Sequence, residues 1–558
     1  VPFLAYALFN VMGVTPVRWL GWHDWLGWAQ MIAVFWVGLN GIVSRGPRRV
    51  LFYTLVALGL LGVLFGCYQR FVVPEWQLVG PGRGQYFLNR ASGSFGAPNS
   101  FAGFLLLILP AVVALTLRRT AVATERVWWG WVGLVLLFGL GLTLSRGAWL
   151  ALVLAIPILP LVGATGGGRR RAALALAAFI GMVGGGAGVL AKHPPAKERF
   201  RQLVADNGEI TRPVMWRGAW RLFREAPLVG TGAGSYNVLF ERHRPEGFRD
   251  EPLWAHNEYL NTLSDYGALG FALGFGAVAV LGLQCVLRRP AERRRPHGLS
   301  DPFVVAGLGA GLLAFALQLA VDFHLKIPAL ALAAATVAGL GVGAVWPAEI
   351  RLSAPGTAGR LLSAALAVGC ALTAGLFFRP LLEAEGLRSE ARRSINRLWQ
   401  LTPAHPEYRR VVQESREALL RATRLDRTNA QAWSDLAYAL VLQIHLEPSR
   451  SVELGRAAEL AANRAIEISQ VCGEFWIRRG LAKDAQGRWA EAGADFQKAV
   501  NLAPADSTTW YHLAEHLTRV RAVHEAAEAA LAFCLRLDPG NRAGLALRQR
   551  LAIKNKAP

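Results

Sequence analysis

The chain has 558 residues, 53% of them hydrophobic and 18% charged, with a mean hydropathy of +0.30. Its 60 Lys+Arg against 38 Asp+Glu give a formal charge of +22. A nucleic-acid binder would gather that charge on one soluble face. Here the basic residues fall in short clusters between apolar runs of membrane-spanning length, which excludes that class and makes the charge a report of topology.

In chain order, residues 1–13 read as the tail of a span whose beginning is missing, with no basic n-region of a signal peptide before them, so an N-terminal truncation is expected. Apolar runs follow at about 26–43, 50–67, 101–117, 127–142, 148–161, 172–190, 259–286, 302–321, 327–346 and 361–378. With the remnant, that makes about eleven spans, since glycine and proline are tolerated in membrane helices. Dense basic clusters at 45–49, 118–126, 169–171 and 288–295 all fall on one side if the spans alternate, and that side is expected to be cytoplasmic. The same alternation gathers 71–99, 144–147, 191–255, 322–326 and everything after 379 on the outer side.

Those outer segments carry the candidate chemistry. Arg90 to Asn99 is a glycine-rich turn running into a span; Ser145-Arg146-Gly147 sits bare between two apolar helices. The long loop carries Arg212-Pro-Val-Met-Trp216 and Pro227-Leu-Val-Gly230-Thr-Gly232-Ala-Gly234, and ends at His256-Asn257. Asp322-Phe323-His324 follows, with His324 expected at the interface. Arginine offers a permanent charge and a planar fork of donors suited to phosphate oxygens. Histidine titrates near neutrality and can take a proton from an attacking hydroxyl. Glycines 230–234 could admit backbone donors to an anion, but no P-loop Lys-Ser/Thr is present, so nucleotide hydrolysis is not expected. Gly267 and Gly270 are spaced to let a neighbouring helix come close. The five cysteines have no metal-like spacing, and no zinc site is expected.

His256-Asn257, nine residues, then Gly267-x-x-Gly270 resembles the signature of the O-antigen ligase and polymerase superfamily of bacterial membrane glycan transferases. The turn from Gly93 to Asn99, the segment from Thr143 to Gly147, and Arg212 to Trp216 followed by Pro227-Leu-x-Gly-x-Gly232 share that resemblance, which covers roughly residues 1–350. It implies transfer of a glycan from an undecaprenyl-diphosphate carrier to an acceptor hydroxyl on the periplasmic face, with no cofactor and no metal. His256 matches the family's essential histidine, and Arg146 and Arg212 match its two essential outer-face arginines; together they are the expected catalytic residues. Arg217, one turn on, could replace Arg212, and Asp322 stands where members often carry an acid. Arg90, Asn99, Arg217, Asn257 and Asp322 form the expected substrate-binding set. The bland alternatives are a capping histidine, a snorkelling Arg146 and exposed loop charges at Arg212 and Arg217.

Beyond 379 the long apolar runs stop and helical spacing with Ala, Leu and Trp takes over. Trp476 and Trp510 begin similar helices 34 residues apart, while Trp433 and Trp476 are 43 apart, with an insertion around 445–451. That period, with two helices per unit, reads as tetratricopeptide repeats, whose stacked units bind partner proteins.

The expected fold is therefore all-α: a polytopic transmembrane domain over 1–379, with a large periplasmic loop at 191–256, a connector at 380–422 and an α-solenoid of tetratricopeptide repeats at 423–558. The expected protein is a multi-pass enzyme of the bacterial inner membrane, with its active face and repeats in the periplasm, acting in cell-surface polysaccharide, lipopolysaccharide or glycoprotein biosynthesis. Its partners are membrane lipids, an undecaprenyl-diphosphate glycan donor, a glycan, lipid A core or protein acceptor, and a protein on the repeats. A polymerase or protein oligosaccharyltransferase of the same superfamily is the near alternative. A lipid-linked glycan transporter with a docking tail is the one from another class.

Overall fold

The computed structural model describes residues 2–41, 45–78, 87–118, 120–157, 211–248, 250–287, 301–346, 357–398, 401–520 and 524–554, with a few isolated positions between them. Every regular element among the described residues is helical. The N-terminal part contains α1 (Pro2–Gly13), α2 (Arg18–Trp36), α3 (Arg45–Phe71), α4 (Pro98–Leu117), α5 (Ala123–Leu142) and α6 (Arg146–Ala155). It continues with α7 (Thr211–Glu225), α8 (Tyr236–Phe240), α9 (Glu258–Phe271), α10 (Pro302–Leu319), α11 (Pro328–Val345) and α12 (Thr357–Thr373). α9 runs on through a π-turn at Ala272–Gly276 into Ala277–Leu287.

Among the described residues, α3, α4, α5, α9 with its extension, α10 and α11 are the six helices long and apolar enough to cross a membrane, while α1 and α6 are apolar but shorter. α2 and the π-turn Val37–Gly41 cover the described part of the run at 26–43, α12 and the π-turn Ala374–Phe378 cover 361–378, and nearly all of 172–190 lies outside the described residues. Exposed Leu58, Leu61 and Leu64 on α3, and Trp128, Trp131 and Phe138 on α5, form apolar belts that a bilayer would cover.

α4 is the centre of this bundle, packed by α3, α5, α10 and α11 and buried along most of its length. Proline starts α4, α10 and α11, where its missing N–H costs nothing. Pro110 lies inside α4, which releases the carbonyl of Leu106 from the helical ladder. α10 makes its closest approach at that point. A Cβ on Gly311 would stand 2.5 Å from Leu107 O and 3.1 Å from Leu106 O, and one on Gly307 would stand 2.7 Å from Ala111 Cα. The close small-residue packing of helix on helix is thus at Gly307-x-x-x-Gly311. It fixes the end of α4 that bears Asn99 against the end of α10 that leads to Asp322.

The C-terminal part is a stack of antiparallel helices: α13 (Arg379–Ile395), α14 (Pro406–Leu425), α15 (Ala430–Ile444), α16 (Ser451–Ile468), α17 (Gly473–Asp484), α18 (Trp489–Leu502), α19 (Ser507–Leu517), α20 (His524–Leu537) and α21 (Arg542–Lys554). Each helix packs on the next. The same detail recurs at three of them: Nε1 of Trp433, Trp476 and Trp510 donates to the carbonyl six residues upstream, Arg427, Gln470 and Pro504, at 3.1, 3.1 and 2.8 Å. Residues 379–425 form a helix pair joined to this stack by Arg388 and Arg392, which both bind the fully buried Asp435.

Gly311→Leu is expected to destabilise the protein by about 1–3 kcal/mol, because the new side chain has only backbone to displace. Gly309→Ala, where a Cβ meets nothing within 4 Å, is expected to leave stability unchanged. Thermal unfolding in detergent compares the two.

Candidate active site

Asn257 begins α9 as its N-cap, accepting a hydrogen bond from Leu260 N at 3.0 Å. Just before it, His256 has φ 49°, and Leu144, two residues before Arg146, has φ 50°; these are the two non-glycine residues with positive φ among the described residues. Side chains with a Cβ avoid this region, and each such residue costs about 1–3 kcal/mol unless its surroundings over-determine it. Around His256 they do. Trp216 Nε1 of α7 donates to the His256 carbonyl at 3.3 Å, and Ala255 N donates to Asn261 Oδ1 at 2.9 Å.

The loop at 227–234 braces the same turn. Ala268 N donates to Pro227 O and Thr231 N to Ser264 O, both at 2.8 Å, and Gly232 N donates to Asp265 O at 3.0 Å. α9 breaks at Gly267, where φ is 65°. A Cβ on Gly267 would stand 2.3 Å from Leu228 O, and one on Gly230 2.4 Å from the Asp265 carbonyl. Gly267 therefore admits this loop's backbone, not a helix, whereas Gly270 faces Tyr6 of α1. The amides of Gly230, Thr231, Gly232 and Ala233 are all spent on internal acceptors, so they form no anion cradle.

Asp322, 4% exposed in the turn between α10 and α11, is where the outer segments meet. Its Oδ2 accepts from Asn99 Nδ2 at 2.8 Å and lies 3.7 Å from the Arg212 guanidinium. Its Oδ1 lies 3.5 Å from His256 Nδ1, an ion-pair distance longer than a closed hydrogen bond. Asn99 Oδ1 in turn accepts from Arg90 at 2.7 Å, and Arg90 Nε donates to Thr143 O at 2.8 Å, tying in the segment that leads to Arg146. The His256 ring stands edge-on to Phe323 at 4.5 Å, with Trp254 against the same Phe at 4.7 Å. Burial pushes the Asp322 carboxyl up, but His256, His324 and Arg212 outweigh it and hold it at about 2. An ionised carboxylate facing Nδ1 orients the imidazole and leaves Nε2 for a substrate.

Arg146 is exposed at the first turn of α6. A Cβ on Gly147 would lie 3.0 Å from Val321 Cγ2, so this helix start abuts the turn that carries Asp322. Arg217 is exposed and donates to Pro213 O of its own helix at 3.3 Å. Asn257 serves α9 as its cap. Of the expected residues, Asp322 thus brings together His256, Arg212, Asn99 and, through Asn99, Arg90.

His324 is fully buried, set against Phe315 at 5.6 Å, and burial pushes its imidazole down. The sequence reading also missed a buried ionic node. Lys326 Nζ lies 2.5 Å from Asp24 and 3.9 Å from Glu258, and Asp24 Oδ2 accepts from Tyr266 at 2.6 Å and Trp28 at 3.1 Å. The node pins α2, α9 and the Asp322 turn together beside a cleft of about 310 Å³ lined by Trp28, Trp254 and Asn237. The available signal was three ionisable residues at the edges of apolar runs. Among the described residues, no group of three or more His, Cys, Asp or Glu could hold a metal ion.

These features describe a helical membrane protein with a histidine, a carboxylate and arginines gathered at one end of its bundle. Residues 131–275 match the O-antigen ligase family model. The match encloses Arg146, Arg212 and His256, and ends before Asp322. No curated protein matches the chain.

Because Asp322 is held low, its pairing stabilises the fold above the ordinary carboxylate pKa and that contribution is lost as pH falls through about 2. The stability gap between wild type and Asp322→Asn should therefore be flat from pH 7 to about 4 and shrink by about 2 kcal/mol toward pH 2, read by unfolding in detergent.

Proposed function

We propose that the protein is a membrane glycosyltransferase of the O-antigen ligase type, moving a glycan from an undecaprenyl-diphosphate carrier to an acceptor hydroxyl on the periplasmic face of the bacterial inner membrane. The observation that carries this reading is the convergence of His256, Arg212 and Asn99 on the one buried carboxylate, Asp322. The match at residues 131–275 supports the same chemistry.

In this reading His256 Nε2 takes the proton of the acceptor hydroxyl as its oxygen attacks the anomeric carbon. The new carbon–oxygen bond forms as the bond from that carbon to the diphosphate breaks. The electron pair leaves with the diphosphate, whose charge Arg146 and Arg212 meet. Asp322 holds the imidazole and stabilises its cation. Arg217, Arg90, Asn99 and Asn257 shape the surrounding substrate site, Arg90 and Asn99 by fixing Asp322.

The C-terminal stack is read as tetratricopeptide repeats, supported by the recurring tryptophan bond and the 34-residue spacing. It contacts the segments that carry His256, so it stands on the same side of the membrane as the site. A glycan chain or a protein hydroxyl is the acceptor that fits such a neighbour, and its outer faces remain for a protein partner.

Purified protein in liposomes with an undecaprenyl-diphosphate oligosaccharide, in EDTA, is expected to consume the donor. His256→Ala should lose roughly two to four orders of magnitude, and Arg212→Ala about two. Equal turnover by wild type and His256→Ala, or passage of intact donor across the bilayer without transfer, would replace this reading with a transporter.

A further inference from the structure

The C-terminal stack is fastened to the membrane part by more than its connection at α12 and α13. Val17 and Trp19, at the start of α2, are buried against Ala430, Ala465 and Phe475, and the Trp19 and Phe475 rings lie 6.0 Å apart. Beside this contact Val471, in the turn between α16 and α17, packs on a cluster of Leu222, Tyr236, Phe240 and Ala255. Ala255 is the residue before His256. A third contact is the ion pair of Arg536 on α20 with Glu246, at 3.0 Å.

The first contact is also wired to the site. Thr15, two residues before Val17, donates to Ala233 O at 2.9 Å, and Ala233 N donates to Asn10 Oδ1 at 2.6 Å. The neighbouring Gly232 N holds Asp265 O of α9 at 3.0 Å. The stack thus reaches the His256 turn by two routes, one through Val471 and one through Trp19 and the 227–234 loop. A non-glycine residue at positive φ persists only where packing over-determines it, and Val471 packs on the cluster that contains Ala255, the residue before His256.

We propose that the C-terminal helical domain acts in cis as a clamp: through Trp19, Val471 and Phe475 it holds the segment at 211–256 so that His256 keeps its left-handed backbone beside Asp322. This surface takes the chain's own loop as its partner. The clamp rests on the glycan-transfer reading only for its activity measurement.

The test uses the full chain in liposomes, wild type against Trp19→Ala/Val471→Asp, with circular dichroism to confirm that helix content is kept. Limited trypsinolysis reports release of the domain, mass spectrometry follows carbethoxylation of His256 by diethyl pyrocarbonate, and donor consumption gives kcat and KM. Release with about threefold or faster labelling of His256 and about a tenfold lower kcat, KM for the donor holding within about twofold, is the expected result. Trp19→Phe/Val471→Ile should behave as wild type. Release with unchanged labelling and kcat overturns the clamp, and so does unchanged trypsinolysis, because the contact is then not what holds the domain. If wild type transfers no glycan while His256 labelling still depends on Trp19 and Val471, the transfer reading falls and the clamp stands.

Discussion

A carboxylate shut away from water at the end of an apolar bundle stays ionised only if cations and donors surround it, because an unpaired buried charge costs several kcal/mol. Asp322 is in that position, and its compensation organises the outer end of the molecule. Asn99 comes from the start of α4, Arg212 from α7 and His256 from the turn before α9, three segments far apart in sequence. The close packing of α10 on α4 at Gly307 and Gly311 brings the Asp322 turn within reach of Asn99. Bundle packing and site geometry are therefore one constraint.

A second layer of charge supports the first. Lys326, four residues after Asp322, is buried between Asp24 and Glu258, and those carboxylates hold its ammonium well above the usual lysine range despite burial. It joins the Asp322 turn to α2 and to the residue that follows Asn257. Glu258 is fully buried with neither oxygen hydrogen-bonded, so Lys326 is its nearest compensation. His256 and Arg212 can be partly exposed because this closed network behind them fixes their supports.

Backbone conformation sets the remaining precision. The turns at Leu144 and His256 hold side chains in a region they avoid; the first lies two residues before Arg146 and the second is the candidate histidine itself. Gly230 and Gly267 allow two backbones to touch where any side chain would collide. The C-terminal stack packs on the start of α2 through Trp19 and Phe475, which joins it to the N-terminal helices.

Local pattern was enough for the class of protein. Apolar runs of spanning length, recurring tryptophans and the spacing from His256 to Gly270 depend on neighbours within a few turns, which sequence records directly. The candidates His256, Arg146 and Asp322 were legible because ionisable residues at the ends of apolar runs are costly without a use, and Arg212 only through the motif it shares with the resembled superfamily. What sequence could not supply was distance. That Asn99 and Arg212 share Asp322, that Gly267 receives a loop in place of a helix, that His324 is buried, and that Asp24 and Lys326 pair across 302 residues are products of long-range packing. The chain alone therefore determined the helical class, the apolar runs of spanning length and the candidate residues, while the tertiary structure decided which charges face one another, because compensation of a buried charge depends on proximity in space and not along the chain.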